Sequence, residues 1–142
     1  MNHFIEYPVS RALEGTCGKF QHTFGGELET PVFPPSGKAP CHLLFMIDTA
    51  DPLFPVRIPG VRMLPLLYCQ QYNAAAMGYR VTTSGIEVDY IESLEWMDDF
   101  PYDHYPTSFP RRDIRLEKLE EAAVRLLDRY IDANEPDPRD WV

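Results

Sequence analysis

Between Val81 and Pro110 the chain contains neither lysine nor arginine. The same stretch holds Glu87, Asp89, Glu92, Glu95, Asp98, Asp99 and Asp103, and so contributes −7 of the formal net charge of −9. The other residues are close to balance. A pI near 4.8 and so few bases argue against a nucleic-acid or anionic-membrane partner, because each phosphate contact normally uses Lys or Arg. Long apolar runs are absent as well: the longest, Leu43 to Ile47, is far short of the roughly 20 residues that a membrane helix needs. The first residues, Met1 to Glu6, lack a charged region followed by an apolar one, so we expect no secretory signal and a cytoplasmic protein.

Cysteine is scarce and widely spaced. Cys17, Cys41 and Cys69 form an odd set without a C-x-x-C pair, so free, buried thiols are expected in a reducing compartment. A structural zinc needs four ligands arriving as close pairs. Cys17, His22 and Cys41 form the one region where a zinc-stabilised alternative could be sought, and adjacent Cys41 and His42 would point to opposite faces of a strand. We therefore expect no metal and no cofactor. Nor is there a G-x-S-x-G elbow, a P-loop or a G-x-G-x-x-G fingerprint. A hydrolase built on a Cys/His pair is the remotest alternative, since nothing local would orient the imidazole or supply an oxyanion hole. We expect no enzyme and no catalytic residues.

What is present is an ordinary globular composition, 44% hydrophobic and 25% charged, in a length that suits one domain spanning 1–142. Fourteen prolines, about twice the usual share of roughly 5%, predict long proline-rich loops, above all Thr30 to Pro40 and Asp48 to Pro59. Lys19 to Phe24 reads as a short strand ended by Gly25-Gly26. Cys41 to Ile47 is apolar without alternation and reads as a strand buried on both faces. Met63 to Cys69 reads likewise, with Pro65 marking an edge or a bulge. Met77 to Thr83 and Ile86 to Ile91 alternate around Thr83-Ser84-Gly85 and predict a hairpin, with Ile86, Val88 and Tyr90 on one face. From Arg111 to Asn134 the spacing of Ile114, Leu119, Ala122, Ala123, Leu126, Leu127, Tyr130 and Ile131 predicts one amphipathic helix, capped near Thr107 or Ser108. The predicted class is α+β, a mainly antiparallel sheet with long proline-rich loops and a C-terminal helix on one face.

The acids of the base-free stretch are interleaved with aromatics. Trp96, Phe100, Tyr102 and Tyr105 would supply anchoring area at low conformational-entropy cost, and Asp98, Asp99 and Asp103 would steer a cationic partner toward them. These seven residues are the predicted partner-binding set. The same segment lacks the glycine and regular spacing of a calcium loop. The bland alternative is a lid of aromatics folded back on the sheet with solvated acids. A small-ligand-binding domain is a further alternative.

The order Gly25-Gly26, Pro40-Cys41, Leu43-Leu44-Phe45-Met46-Ile47-Asp48 and Leu64-Pro65-Leu66-Leu67-Tyr68-Cys69-Gln70 resembles the YwqG-like group of largely uncharacterised bacterial proteins. The resemblance covers about a third of the chain. Met46 stands where that group has Gln, and Cys41 stands alone where some members have paired cysteines. It implies a β-rich α+β fold and no established catalytic residues. Proteins of this kind occur beside bacterial toxin genes, which implies an immunity-type inhibitor of a basic toxin as the specific form of an acidic protein-binding module.

Overall fold

The computed structural model describes residues 10–16, 18–34, 39–69, 72–73, 76–92, 95–96 and 106–134. Its strands are β1 (Ser10–Glu14), β2 (His22–Gly26), β3 (His42–Asp48), β4 (Met63–Tyr68), β5 (Tyr72–Asn73), β6 (Ala76–Thr82), β7 (Gly85–Glu92), β8 (Glu95–Trp96) and β9 (Phe109–Lys118), followed by the helix α1 (Glu121–Asn134). Five of them form an antiparallel sheet in the order β1-β9-β2-β3-β4. β6 and β7 form a separate hairpin, and β5 pairs with β8. The fold is thus mainly antiparallel sheet with one C-terminal helix.

The apolar runs behave as their composition demands. β3 and β4 pair along their whole length, and β4 lies at the sheet edge, where Pro65 removes no ladder donor that a neighbour needs. The Tyr79 hydroxyl, from the hairpin, closes that edge by donating to the Pro65 carbonyl at 2.8 Å and accepting the Leu67 N–H at 3.0 Å. A bulge at Leu44 shifts the phase of β3. Cys41 and Leu43 therefore join the core under the hairpin, while Phe45 and Ile47 line a groove on the other face. This is why a run without alternation serves two faces.

The core sits between sheet and hairpin. Cys41, Leu43, Leu67 and Cys69 form its buried centre, and Leu28, Val32, Met46, Met77, Tyr79, Ile86 and Ile91 pack against it. A second bulge, at Asp89, reverses the phase of β7: Gly78 faces Tyr90, but Tyr79 faces Val88. Hence Ile91 rather than Tyr90 returns to the core, and Tyr90 is 54% exposed. Its ring lies over Gly78, where an added Cβ would come within 2.1 Å of Cε1. The single-face alternation expected for Ile86, Val88 and Tyr90 breaks at that bulge.

The predicted 111–134 helix is corrected to a strand and a shorter helix. Phe109–Lys118 forms β9, central in the sheet between β1 and β2. Ile114 and Leu116, two apart, line the second face of the sheet, while Arg11 meets Glu117 across the ladder at 3.1 Å. Pairing on both sides overrides the helical spacing of this segment. Gly25 does not end β2 but bulges within it, at φ 69°, and an added Cβ would lie 2.5 Å from the Pro110 carbonyl oxygen of β9. The helix itself does not cover the sheet: among the described residues no Cα of α1 comes within 8 Å of a strand, and Leu126 is 65% exposed. No helix there is long and apolar enough to cross a membrane.

Candidate functional site

Two polar features stand out: an exposed acidic hairpin face and a buried knot at the end of β3. On the hairpin Glu87, Asp89 and Glu92 are exposed beside Tyr90. Arg80 of β6 reaches across to Glu87 at 3.2 Å and to Asp89 at 3.0 Å, so part of this charge is balanced within the hairpin. Exposed pairs of this kind contribute little stability, roughly 0–1 kcal/mol. The remaining acids, from Glu92 onward, follow in sequence without a base.

Of the predicted partner-binding residues, Trp96 lies on β8, in register with Tyr72 of β5. Asp98, Asp99, Phe100, Tyr102, Asp103 and Tyr105 lie outside the described residues. The hairpin that leads into this segment is placed against the sheet by Met77, Tyr79, Ile86 and Ile91.

The knot was invisible as a unit in the sequence. His22, at the start of β2, and Asp51, in the loop after β3, are both buried, with Nε2 and Oδ2 2.8 Å apart. The Asp48 backbone N–H donates to His22 Nδ1 at 3.0 Å, so the ring carries its proton on Nε2 and donates it to Asp51. A general base needs a lone pair aimed at a substrate. Here that lone pair is already occupied by a backbone donor, and the His–Asp pair is structural.

Asp48 is fully buried and accepts on both oxygens. Oδ1 takes Arg62 Nε at 2.9 Å and the Ala50 N–H at 3.1 Å; Oδ2 takes Arg62 Nη2 at 2.9 Å and the Gln21 N–H at 3.2 Å. The Arg62 fork, with these two backbone donors, holds the Asp48 carboxyl well below the usual carboxylate range, against the opposing effect of burial. Asp51 Oδ1 accepts the Leu53 N–H at 2.9 Å, and Thr49 Oγ1 donates to the Arg62 carbonyl at 2.7 Å. Arg57 donates to the carbonyls of Asp51, Phe54 and Val56. The whole excursion from Thr49 to Arg62 is pinned by these bonds. It brings Leu53, Phe54 and Pro55 to the second sheet face, where they share a groove of about 380 Å³ with Phe45, Ile47, Leu66 and Ile114.

The described residues considered for zinc or nucleophilic chemistry each have other partners. Both ring nitrogens of His22 are engaged, so it is not available to a zinc ion with Cys41. Cys17 lies outside the described residues. His42 is buried and donates through Nε2 to the Pro106 carbonyl at 2.8 Å, with its ring against Phe109. The neighbouring Cys69 thiol and burial push the Cys41 thiol above its ordinary range, the opposite of an activated nucleophile. Among the described residues no three His, Cys, Asp or Glu side chains are grouped to hold a metal ion.

A cleft of about 660 Å³ lies between hairpin and sheet, lined by Phe33, Met46, Met63, Val81, Ile86 and Val88 among others, with Glu27 and Glu29. No family model, no curated protein and no solved structure matches the chain. The resemblance to the YwqG-like group therefore stands on its short sequence signals alone.

Proposed function

We propose that this protein is a cytoplasmic, non-enzymatic protein-binding module that meets a basic surface of its partner through the acidic and aromatic stretch following β7. The observation that carries this reading is the segregation of charge: −7 lies in one base-free stretch, while the rest of the chain is nearly neutral. Trp96, Phe100, Tyr102 and Tyr105 are its anchors, and Asp98, Asp99 and Asp103 provide complementarity. Close charge pairs across an interface have coupling energies of about 1.5–7 kcal/mol when desolvated, and rim pairs chiefly raise the association rate. The internal pairing of Glu87 and Asp89 with Arg80 supports placing the partner contact beyond the hairpin, at Glu92 and the acids that follow. The specific form of the proposal, suggested by the YwqG-like resemblance, is an immunity-type inhibitor of a basic toxin.

The test is a titration of the full chain against the product of the neighbouring gene, at low and high salt. Binding that weakens with salt, and that weakens again in the Asp98→Asn, Asp99→Asn, Asp103→Asn triple variant, is the expected result. Binding indifferent to both changes refutes the electrostatic reading, and absence of binding refutes the immunity form. A second reading, a small-ligand-binding domain, is favoured by the cleft between hairpin and sheet, whose volume falls within the roughly 300–1,000 Å³ of such sites.

A further inference from the structure

Two cysteines and a methionine share one packed cluster in the core beneath the hairpin. Cys41 stands just before β3 and Cys69 just after β4. The antiparallel register pairs His42 with Tyr68, so one step further along Cys41 faces Cys69. The Cys41 N–H is turned to the Val32 carbonyl, at 2.7 Å, and not to its cross-strand partner. In a pair without mutual backbone bonds the Cα atoms approach to about 4.5 Å and the side chains lie closest. The register thus sets the two thiols side by side within one cluster, and Cys41 Sγ lies 3.9 Å from Sδ of Met77 on β6. Both cysteines are buried.

We propose that Cys41, Cys69 and Met77 form a binding site for a single copper(I) ion, held by two thiolates and one thioether. The geometry suits a trigonal soft cation. Three sulfurs placed about 2.3 Å from a common centre, a usual metal–thiolate length, lie about 4.0 Å from one another. The observed Cys41–Met77 separation of 3.9 Å already matches that spacing. Thiolate and thioether donors select copper(I) over the harder divalent ions, and zinc would demand a fourth ligand. His42, the next residue along the chain, turns to the opposite side, with its ring against Phe109 and its Nε2 donating to Pro106.

The ion also has a way in. Cys41 lines an open cavity of about 180 Å³ together with Glu27, Thr107 and Ser108. Binding is a metal-for-proton exchange: copper(I) forms bonds to both sulfur anions and to the thioether, two thiol protons leave to solvent, and no electron is transferred. Such coupling between deprotonation and metal affinity is general for thiol sites.

The test uses the reduced full-length chain without oxygen, titrated with copper(I) as its acetonitrile complex in competition with the chromogenic chelator bicinchoninate. One equivalent of copper withdrawn per chain, with a thiolate-to-copper charge-transfer band in the near ultraviolet, is expected. X-ray absorption should show three sulfur neighbours. Cys41→Ser and Cys69→Ser should lose retention, whereas Cys17→Ser should retain copper as the parent does. Met77→Leu, which keeps the core apolar, should preserve the stoichiometry and weaken retention by about 10-fold, the lower end of the loss when a metal site's environment is altered. Copper left wholly with the chelator, by a chain whose circular dichroism shows it folded and whose thiols titrate as free, overturns the proposal. So does copper held equally well by folded Cys41→Ser and Cys69→Ser, or coordinated by nitrogen and oxygen.

Discussion

Replacing Asp48 by Asn tests the buried knot with the smallest possible change of shape. The carboxylate accepts two donors on each oxygen: the Ala50 N–H and Arg62 Nε on Oδ1, and the Gln21 N–H and Arg62 Nη2 on Oδ2. An amide offers one accepting oxygen only. Whichever way Asn is turned, its NH2 group faces a backbone N–H and a guanidinium N–H, both donors. Arg62 is largely exposed and can turn its nitrogens to water, so its loss is inexpensive. The orphaned backbone donor cannot do the same, and an unsatisfied buried group costs about 1–3 kcal/mol. Adding one charge-assisted bond lost from the remaining side brings the expected loss to about 2–4 kcal/mol. For a chain of this length that corresponds to a fall in Tm of roughly 6–16 °C.

Urea unfolding at neutral pH measures the difference directly. Its pH dependence provides an independent check, because the folded carboxyl ionises well below the range of the unfolded chain. On acidification the unfolded state takes up its proton first, so the stabilisation by Asp48 is complete above about pH 5 and is lost as pH falls through the unfolded and then the folded value. Asn cannot titrate, and the gap between the two proteins should therefore narrow on acidification. A loss below about 0.5 kcal/mol at neutral pH, typical of an indifferent surface change, refutes the reasoning. So does a gap that widens as pH falls.

Two further substitutions probe the hairpin. Gly78→Ala drives a methyl group into the Tyr90 ring and should destabilise the protein in the parent background, yet in a Tyr90→Ala background it should be neutral or stabilise by about 0.5–1 kcal/mol, since glycine weakens a strand interior; equal effects in both backgrounds, from a double-mutant cycle by urea unfolding, would show that the ring is not the obstacle. Tyr79→Phe removes the hydroxyl that bridges Pro65 and Leu67 and should cost about 1–2 kcal/mol, read by thermal unfolding; an unchanged Tm would mean that water closes the β4 edge equally well.

Some of this architecture was plain in the sequence. The β3 and β4 runs were recognisable because both are continuous and apolar, and Pro65 marked the edge that β4 occupies. The hairpin was recognisable from a local turn, whose two-residue link, Thr83-Ser84, matches the alternation on either side. Strand β9, in place of the first part of the expected 111–134 helix, depends on pairing with residues about a hundred positions earlier, such as Glu117 with Arg11. Its own signal was the two-residue period of Ile114 and Leu116, with Arg111, Asp113, Arg115 and Glu117 between, which the helical spacing of the residues after it concealed. The knot was harder still. His22 and Asp51 are 29 positions apart, and only the pairing of β2 with β3 brings them together. A lone histidine before an apolar strand, and two aspartates flanking Thr49-Ala50, were its sole traces. Asp98, Asp99, Phe100, Tyr102, Asp103 and Tyr105 stand out by composition alone, and the described fold bears on them only through the hairpin leading toward them.

The knot fixes the loop that lies on the second face of the sheet. An antiparallel sheet can leave one face in water, but here the second face carries Phe45, Ile47, Leu66, Ile114 and Leu116 and needs cover too. The hairpin covers the first with apolar side chains brought close by a two-residue turn, a cheap arrangement in chain entropy. On the second face it is not the amphipathic helix but the loop from Thr49 to Arg62 that packs, with Leu53, Phe54 and Pro55 beside Phe45 and Ile114. Buried ion pairs are poor sources of net stability but good devices for fixing one geometry. Asp48, Asp51 and His22 act in that second sense: they direct a proline-containing loop, with no ladder of its own, onto a defined patch of sheet. A substitution in the knot should therefore loosen the Phe45–Ile114 side and leave the sulfur-lined core beneath the hairpin in place, since the two are on opposite faces of β3. The exposed apolar residues of α1 then have no part in covering that face, which another segment already shares.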